Sequence, residues 1–359
     1  MNNTNMDTNT NNNKVLCCKI PTKNGELIRK ILLEHNLLNK EYKLKKEGEY
    51  LYLPLNINNT NKLSCNILSI LKKNCNNNIE FIEKNLFKNT KNNKLNFREY
   101  LISNFKKHIN SNNISLSYDV IGHIVILQIS DNINKEIKQL IGKKALELIP
   151  SIKSVYNRKS EVLGEYRVRE LELIGGEDNP LTIYKENNYK LLVNVKEVYF
   201  SPRLGWERKR IMEKINENDV VVDMFCGVGP FVICCKKAKK IYAVDINPKA
   251  IELLKENLKL NKIENKVVIF NEDINKISVK GNKVIMNLPK FSHLFIEKAL
   301  DIIENNGIIY YYCVGEDYNQ CIELFKSKCK YNFEIMEKRI VKSYSPREKI
   351  FVLDIKINK

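Results

Sequence analysis

The stretch VVVDMFCGVGP, residues 220–230, decides how this chain folds. Its three successive valines predict a strand that is buried on both faces, and Asp223 lies where that strand ends. Gly227 and Gly229 allow a positive φ and a close approach of the backbone to a ligand, and Pro230 suits the first turn of a helix. The stretch therefore predicts a ligand-binding loop at the carboxyl end of a parallel strand.

The ligand is not predicted to be a dinucleotide. Val232 occupies the position where a dinucleotide fingerprint has its third glycine, so a nicotinamide or flavin dinucleotide is disfavoured. The next predicted strand, residues 240–245, ends in Asp245. This acid follows Asp223 at about the 20-residue spacing expected for a carboxylate that binds ribose hydroxyls.

Two further predicted strands also end in polar residues. Residues 266–270 lead to Asp273, and residues 283–286 run into Asn287-Leu288-Pro289-Lys290. This succession of strand ends resembles an S-adenosylmethionine-dependent class I methyltransferase, an α/β protein with a Rossmann-like, doubly wound sheet. Taken singly, each acid could instead be a turn residue or a helix cap. The predicted cofactor-binding residues are Asp223, Phe225, Gly227, Gly229, Asp245, Ile246, Asp273 and Asn287.

Length and composition predict several domains, since 359 residues suggest two or three. Residues 121–127 predict one strand, and the strand-rich end after residue 307 predicts an antiparallel pair at the sheet edge. The predicted regions are a disordered Asn/Thr-rich tail (1–13), a small N-terminal α/β domain (14–87), a flexible linker (88–95), an α+β middle region (96–198) and the methyltransferase domain (199–359).

The charge is strongly positive. Lysine and arginine total 60 against 42 acids, which gives a formal net charge of +18, and basic residues cluster at 208–210 and 236–240. Such an excess favours a polyanionic partner such as nucleic acid, although a Lys- and Asn-rich chain could also have an ordinary solvated surface.

The sequence predicts neither a membrane protein nor a metal protein. No apolar run reaches the roughly 18 to 20 residues of a membrane span, and residues 1–13 lack an apolar signal-peptide core, so we expect a cytoplasmic protein. The ten cysteines form no Cys-x-x-Cys pair and the four histidines are scattered. Reduced, mostly buried thiols are therefore expected, without zinc or disulfides.

Two segments beside the cofactor loop carry the substrate chemistry. Asn287-Leu288-Pro289 departs from the Asn-Pro-Pro-Tyr form of enzymes that methylate exocyclic amines, but it keeps an amide that can donate to and accept from a nucleobase edge. Upstream, YFSPRLGWER (residues 199–208) places Glu207 at the start of a helix with aromatic residues nearby that suit stacking on a base. Alternatively, the first segment could be an ordinary turn that closes a strand, and Glu207 could only complement the helix dipole.

With these segments, nearly the whole chain resembles the archaeal and eukaryotic type of tRNA (guanine-37-N1)-methyltransferase. The resemblance is carried by GEYRVREL at 164–171, by residues 199–208, by the Asp223 loop, by Asn287-Leu288-Pro289 and by the tail 338–348. It implies transfer of a methyl group from S-adenosylmethionine to N1 of guanosine 37 in tRNA, by a chain for which a monomer suffices. It also implies that the N-terminal domain contacts the outer corner of tRNA and reports on tRNA shape.

The resemblance assigns roles that suit the chemistry. Guanine N1 carries a proton at neutral pH, so a base must remove it while negative charge on O6 is stabilised. Glu207 is the implied general base, Arg167 the implied donor to O6 and Asn287 the residue that holds the Watson–Crick edge. The scheme requires no metal. The implied substrate-binding residues are Tyr199, Arg203, Arg208 and Pro289.

Three other functions stay open. A related fold transfers the aminocarboxypropyl group of the same cofactor, and another target is a tricyclic wyosine-type intermediate derived from the same guanosine. A noncatalytic RNA-binding protein with a relic cofactor fold is the alternative from a different class. The candidate catalytic residues favour the methyltransferase.

Overall fold

The computed structural model describes residues 12–56, 63, 65–87, 96–159 and 168–359. The chain divides into two compact units, with the boundary between residues 94 and 95. The predicted linker 88–95 lies outside the described residues, as does the predicted tail up to residue 11. The first strand begins at Asn12, inside the predicted tail.

The N-terminal unit is a four-stranded antiparallel sheet with two helices. Its strand order is β2-β3-β1-β4, and Ile20, Ile28, Leu53 and Leu71 are among the residues that form its core. The second helix, with Asn-rich sequence on both sides, was not predicted from the sequence. The elements are β1 (Asn12–Pro21), α1 (Gly25–Glu34), β2 (Lys45–Glu47), β3 (Tyr50–Pro54), α2 (Cys65–Asn74) and β4 (Glu80–Phe87).

The second unit begins with a mixed four-stranded sheet of order β5-β6-β7-β8, against which two helices pack. Of the stretch 121–127, predicted as one strand, residues 124–127 form a strand, but the prediction is wrong at its start because the chain turns at Gly122 with φ +57°. A Cβ atom there would lie 2.1 Å from Thr182 Oγ1, so the turn needs glycine. The elements are α3 (Phe97–Asn110), β5 (Asp119–Ile121), β6 (Ile124–Leu127), α4 (Lys135–Leu148), β7 (Ser154–Arg158) and β8 (Leu171–Gly176).

A β-hairpin and one helix then lead into a seven-stranded sheet of order β13-β12-β11-β14-β15-β17-β16. The five neighbouring strands β13, β12, β11, β14 and β15 are parallel. The strands β17 and β16 add the predicted antiparallel pair at the edge. The elements are β9 (Leu181–Glu186), β10 (Tyr189–Asn194), α5 (Gly205–Lys214), β11 (Val220–Asp223), α6 (Pro230–Cys234), β12 (Lys240–Val244), α7 (Pro248–Asn261), β13 (Val267–Phe270), β14 (Gly281–Met286), α8 (Ile296–Ile302), β15 (Ile303–Gly315), α9 (Tyr318–Lys326), β16 (Asn332–Ser343) and β17 (Lys349–Asn358).

Both faces of this sheet are covered by helices. Val221 packs with residues of α5, α6 and α7 in one apolar cluster, and the next residue, Val222, packs with α8 and α9 in the other. The alternation explains why β11 consists of consecutive apolar residues. The predicted class I fold is thereby confirmed, and β11 lies between β12 and β14, where the strand order reverses and such sheets bind ligands.

Candidate active site

The loop after β11 depends on two glycines with positive φ. Gly227 has φ +53° and Gly229 has φ +86°. Gly229 is the N-cap of α6, and a Cβ atom there would lie 2.4 Å from Leu254 Cδ1. Gly229 therefore lets α7 pack closely against the loop, and its predicted contact with the cofactor stays a prediction.

Asp245 fixes the shape of this loop. Its carboxylate accepts hydrogen bonds from the backbone N–H groups of Gly227, at 2.7 Å, and Asn247, at 2.9 Å. Burial raises the pKa of Asp245, and the two backbone bonds oppose that increase. The oxygens retain further lone pairs, so the predicted role in ribose binding stays a prediction that the geometry allows.

Two adjacent cavities lie at the carboxyl ends of the parallel strands. The larger, of about 400 Å³, is called here the apolar cavity, and the smaller, of about 90 Å³, is the bridging cavity. Phe225 and Leu288 line both. The apolar cavity is lined by Met224, Phe225, Ile246, Glu272, Asp273, Ile274, Leu288, Phe291, Leu294 and Phe295, and the bridging cavity by Tyr199, Phe200, Ser201, Leu204, Arg208, Phe225, Cys226, Gly227, Pro230, Asp245, Asn247, Ala250, Asn287 and Leu288.

A third space, called here the basic cavity, has a volume of about 570 Å³. Tyr199 and Asn287 line both the basic and the bridging cavity, so they lie where the two meet. The only acid in its wall of described residues is Asp119. The basic side chains that line it are Arg158, Arg169, Arg203, Lys290 and Lys342, and Pro289 lines it as well.

Asp223 lies under the loop and lines none of these cavities as the described residues form them. It is 1% exposed, and its Oδ1 accepts the N–H of Phe225 at 3.3 Å. Its Oδ2 is buried and has no hydrogen-bond partner in the described structure. Burial raises the pKa of Asp223 to about 7; the Phe225 N–H opposes this shift and the charge of Asp245 adds to it.

We expect this carboxyl to make cofactor binding depend on pH. A cationic ligand favours the ionised form, and below about pH 7 Asp223 is protonated in the free protein. The dissociation constant of S-adenosylmethionine should therefore rise towards about tenfold per pH unit as the pH falls from 7 to 5.5. Calorimetric titration across this range measures the slope. The Asp223→Asn variant should bind S-adenosylmethionine weakly and with little pH dependence. A slope in that variant equal to that of the wild type would show that Asp223 does not cause the pH dependence.

Glu207 lies in the first turn of α5, as predicted, but within a buried ionic network. It is 5% exposed, both its oxygens lie 3.0 Å from Nε of Arg210, and the Tyr312 hydroxyl donates to it at 2.7 Å. Arg210 also donates to Asp354 at 2.6 and 3.0 Å. Glu207 is absent from the walls formed by the described residues, so its role as a base stays a prediction.

Two arginines of the predicted substrate-binding segment, residues 199–208, anchor it to the rest of the protein. Arg203 donates from Nε to Asp119 at 2.6 Å and lines the basic cavity. Arg208 is 1% exposed, binds Glu186 with two donors and donates to the Ser201 carbonyl at 3.2 Å. The substrate-binding role of Arg208 stays a prediction. These contacts show that Arg208 also stabilises the fold around Glu186 and Ser201.

Arg167 lies outside the described residues. Arg169, two residues later, lines the basic cavity, and its guanidinium carbon lies 5.5 Å from the centre of the Tyr199 ring. Its Nε is buried without a hydrogen-bond partner in the described structure. Sequence reasoning did not single out Arg169, although the alternation of arginines in residues 164–171 was a usable signal.

Asp273 lines the apolar cavity with Ile246 and also caps a short 3-10 turn, because its side chain accepts the N–H of Asn275 at 2.9 Å.

Within the described ranges no group of three His, Cys, Asp or Glu side chains could hold a metal ion. None of the helices in the described part of the chain is long and apolar enough to cross a membrane.

The strand order, the glycine loop and the chain of cavities define a class I methyltransferase. Comparison with known proteins places it more narrowly: the chain belongs to the TRM5/TYW2 family of methyltransferases. The TRM5/TYW2 methyltransferase domain matches residues 182–336 and the tRNA methyltransferase 5 N-terminal domain matches residues 17–62. Residues 97–179 match the TYW2 N-terminal domain.

The relatives match over nearly the whole chain. It is 56% identical to tRNA (guanine(37)-N(1))-methyltransferase Trm5b of Methanocaldococcus jannaschii and 36% identical to that of Pyrococcus abyssi, each over 96% of this chain and 99% of the relative. The solved complex of aTrm5 and tRNALeu is 55% identical, with a TM-score of 0.72 over 96% of this chain and 100% of the other. The TYW2 structure from P. horikoshii is 26% identical, with a TM-score of 0.60 over 73% of this chain and 98% of the other.

Proposed function

We propose that this enzyme transfers the methyl group of S-adenosylmethionine to N1 of guanosine 37 in tRNA. One observation carries the proposal at the site: Tyr199 and Asn287 line both the bridging cavity and the basic cavity. A cofactor in the adjacent apolar and bridging cavities thus faces a base in the basic cavity across a shared wall, which Ser201 and Leu204 complete. The Trm5b relatives support the choice of guanosine 37.

The cavities fit the cofactor. Phe225, Ile246 and Ile274 line the apolar cavity and suit a flat adenine ring, while Asp245 offers carboxylate oxygens to ribose hydroxyls. When bound, S-adenosylmethionine supplies a methyl group on a positively charged sulfur. The unpartnered, buried Oδ2 of Asp223 favours positive charge nearby.

On the substrate side, Asn287 holds the Watson–Crick edge of guanine and Arg167 stabilises charge on O6. Glu207 takes the N1 proton, and to do so its carboxylate leaves Arg210 and turns towards the basic cavity. The basic side chains bind the phosphates next to the target, which offsets the few kcal/mol of unstacking a base. We assign to the N-terminal unit the binding of the outer corner of tRNA. The match of residues 17–62 to the tRNA methyltransferase 5 N-terminal domain supports this assignment.

The reaction is tested with unmodified tRNA transcript and methyl-labelled S-adenosylmethionine. We expect mass analysis of the nucleosides to show 1-methylguanosine, and a transcript with adenosine at position 37 to remain unlabelled. A product heavier by an aminocarboxypropyl group, or no product, would contradict the proposal. Transcripts carrying a tricyclic wyosine-type base at position 37 test whether that base is also accepted.

A further inference from the structure

Tyr312 in β15 connects Glu207 to the edge of the sheet where the cavities lie. Its hydroxyl donates to Oε1 of Glu207 at 2.7 Å. The parallel register of β14 and β15 pairs Met286 with Tyr311, so Asn287 and Tyr312 come next on the two neighbouring chains. Asn287 lines both the bridging and the basic cavity. The hydrogen bond from Tyr312 therefore holds Glu207 near the side chain that is proposed to bind the guanine edge.

The side chain of Tyr312 is fixed by its surroundings. It is 0% exposed, and its ring centre lies 5.8 Å from that of Phe231 in α6, within one apolar cluster. Burial raises the pKa of Tyr312 well above its usual range, and the negative charge of Glu207 adds to the increase. The hydroxyl therefore stays protonated and remains a donor to the carboxylate.

The two carboxylate oxygens of Glu207 are bound unequally. Oε1 accepts from the Tyr312 hydroxyl and from Nη2 of Arg210, at 2.7 and 2.5 Å, and it shares Nε of Arg210 at 3.0 Å. Within the described residues, Oε2 accepts only from the shared Nε, at 3.0 Å. Oε2 is therefore the oxygen that can be released for a proton with the smaller loss of hydrogen bonds.

Arg210 has other acids to hold it when Glu207 turns away. It donates to Asp354 at 2.6 and 3.0 Å and to Glu337 at 3.4 Å. A buried cation that loses its one partner is strongly destabilised, but Arg210 would keep the carboxylate of Asp354, which is 2% exposed. The network can therefore release Glu207 without leaving a buried charge unpaired.

We propose that Tyr312 is a positioning residue for the methyl transfer: its hydroxyl holds Oε1 of Glu207 while Oε2 turns from Arg210 towards the basic cavity. The inference rests on the proposed function, in which Glu207 is the base. The N1–H bond of guanosine breaks and its proton goes to Oε2. The electron pair left on N1 forms the bond to the methyl group, and the electrons of the broken carbon–sulfur bond stay on sulfur.

Tyr312→Phe removes the hydroxyl and keeps the buried ring. We expect the single-turnover rate to fall about ten- to thirtyfold, as for one hydrogen bond to a charged group. The dissociation constants of tRNA and S-adenosylmethionine should stay within about twofold, because Tyr312 is absent from the described walls of the cavities. Tyr311→Phe is the matched control with an expected wild-type rate, since that hydroxyl is equally buried but has no hydrogen-bond partner in the described structure.

A double-mutant cycle with Glu207→Gln shows whether Tyr312 acts through Glu207. Once the base is removed, Tyr312→Phe should change the residual rate by less than about twofold. An equal loss of rate in both backgrounds would overturn the inference, as would a Tyr312→Phe enzyme with the full rate. A loss of tRNA affinity as large as the loss of rate would also overturn it. Failure of the proposed function would look different, because wild type would then form no 1-methylguanosine.

Discussion

Glu207→Gln should lower the single-turnover rate of methyl transfer by about 10²- to 10⁴-fold. Glutamine keeps the size of the side chain, and its amide oxygen can still accept from Arg210 and Tyr312, but it cannot take the N1 proton. Cofactor affinity should remain within about twofold, because Glu207 is absent from the described walls of the cofactor cavities. Rapid-quench measurement with saturating tRNA and cofactor gives the rate.

Two variants separate a catalytic loss from a structural one. Glu213→Gln changes an exposed acid on the same helix and should behave as wild type. Asp354→Asn weakens the same buried network from the opposite side of Arg210, so it should reduce stability with a much smaller loss of rate. A Glu207→Gln enzyme with the full single-turnover rate would show that Glu207 only holds Arg210.

The parts of the site that the sequence predicted are those that depend on local pattern. Consecutive apolar residues specify parallel strands, and such strands bring their carboxyl ends to one edge of the sheet, so polar residues after each strand meet there. Phe225, Asp245, Asp273 and Asn287 accordingly line the apolar or bridging cavity. Tyr199 does so as well, in the segment that precedes α5 and β11.

The parts that the sequence did not predict depend on partners far apart in the chain. Arg210 meets Asp354 across 144 residues, and no spacing rule connects a helix to the last strand. Asp223 has its carboxyl buried beneath the loop, because the pattern gives the end of a strand but not the direction of a side chain, and its contact with the cofactor stays a prediction.

Arg208→Ala should lower the free energy of unfolding by about 3–5 kcal/mol. Arg208 and Glu186 are buried together, with 1% and 9% of their side chains exposed, so removal of the cation leaves a buried carboxylate without its main partner. Burial by itself raises the pKa of Glu186, but the hydrogen bond and charge of Arg208, together with hydrogen bonds from Tyr189 and Tyr184, outweigh burial and the pKa is lowered. Denaturant titration measures the loss, and Lys209→Ala, at an exposed neighbouring position, is the control with an expected change within about 0.5 kcal/mol.

The double variant Arg208→Met, Glu186→Gln distinguishes the two tasks of Arg208. Replacing both partners removes the buried charges together, so much of the lost stability should return. If Arg208 contributes to tRNA binding only through the stability of the fold, the recovered protein should also regain most of its affinity for tRNA. A single Arg208→Ala variant that keeps full stability but binds tRNA poorly would contradict this purely structural role. In that case the predicted contact between Arg208 and the substrate would be the better account.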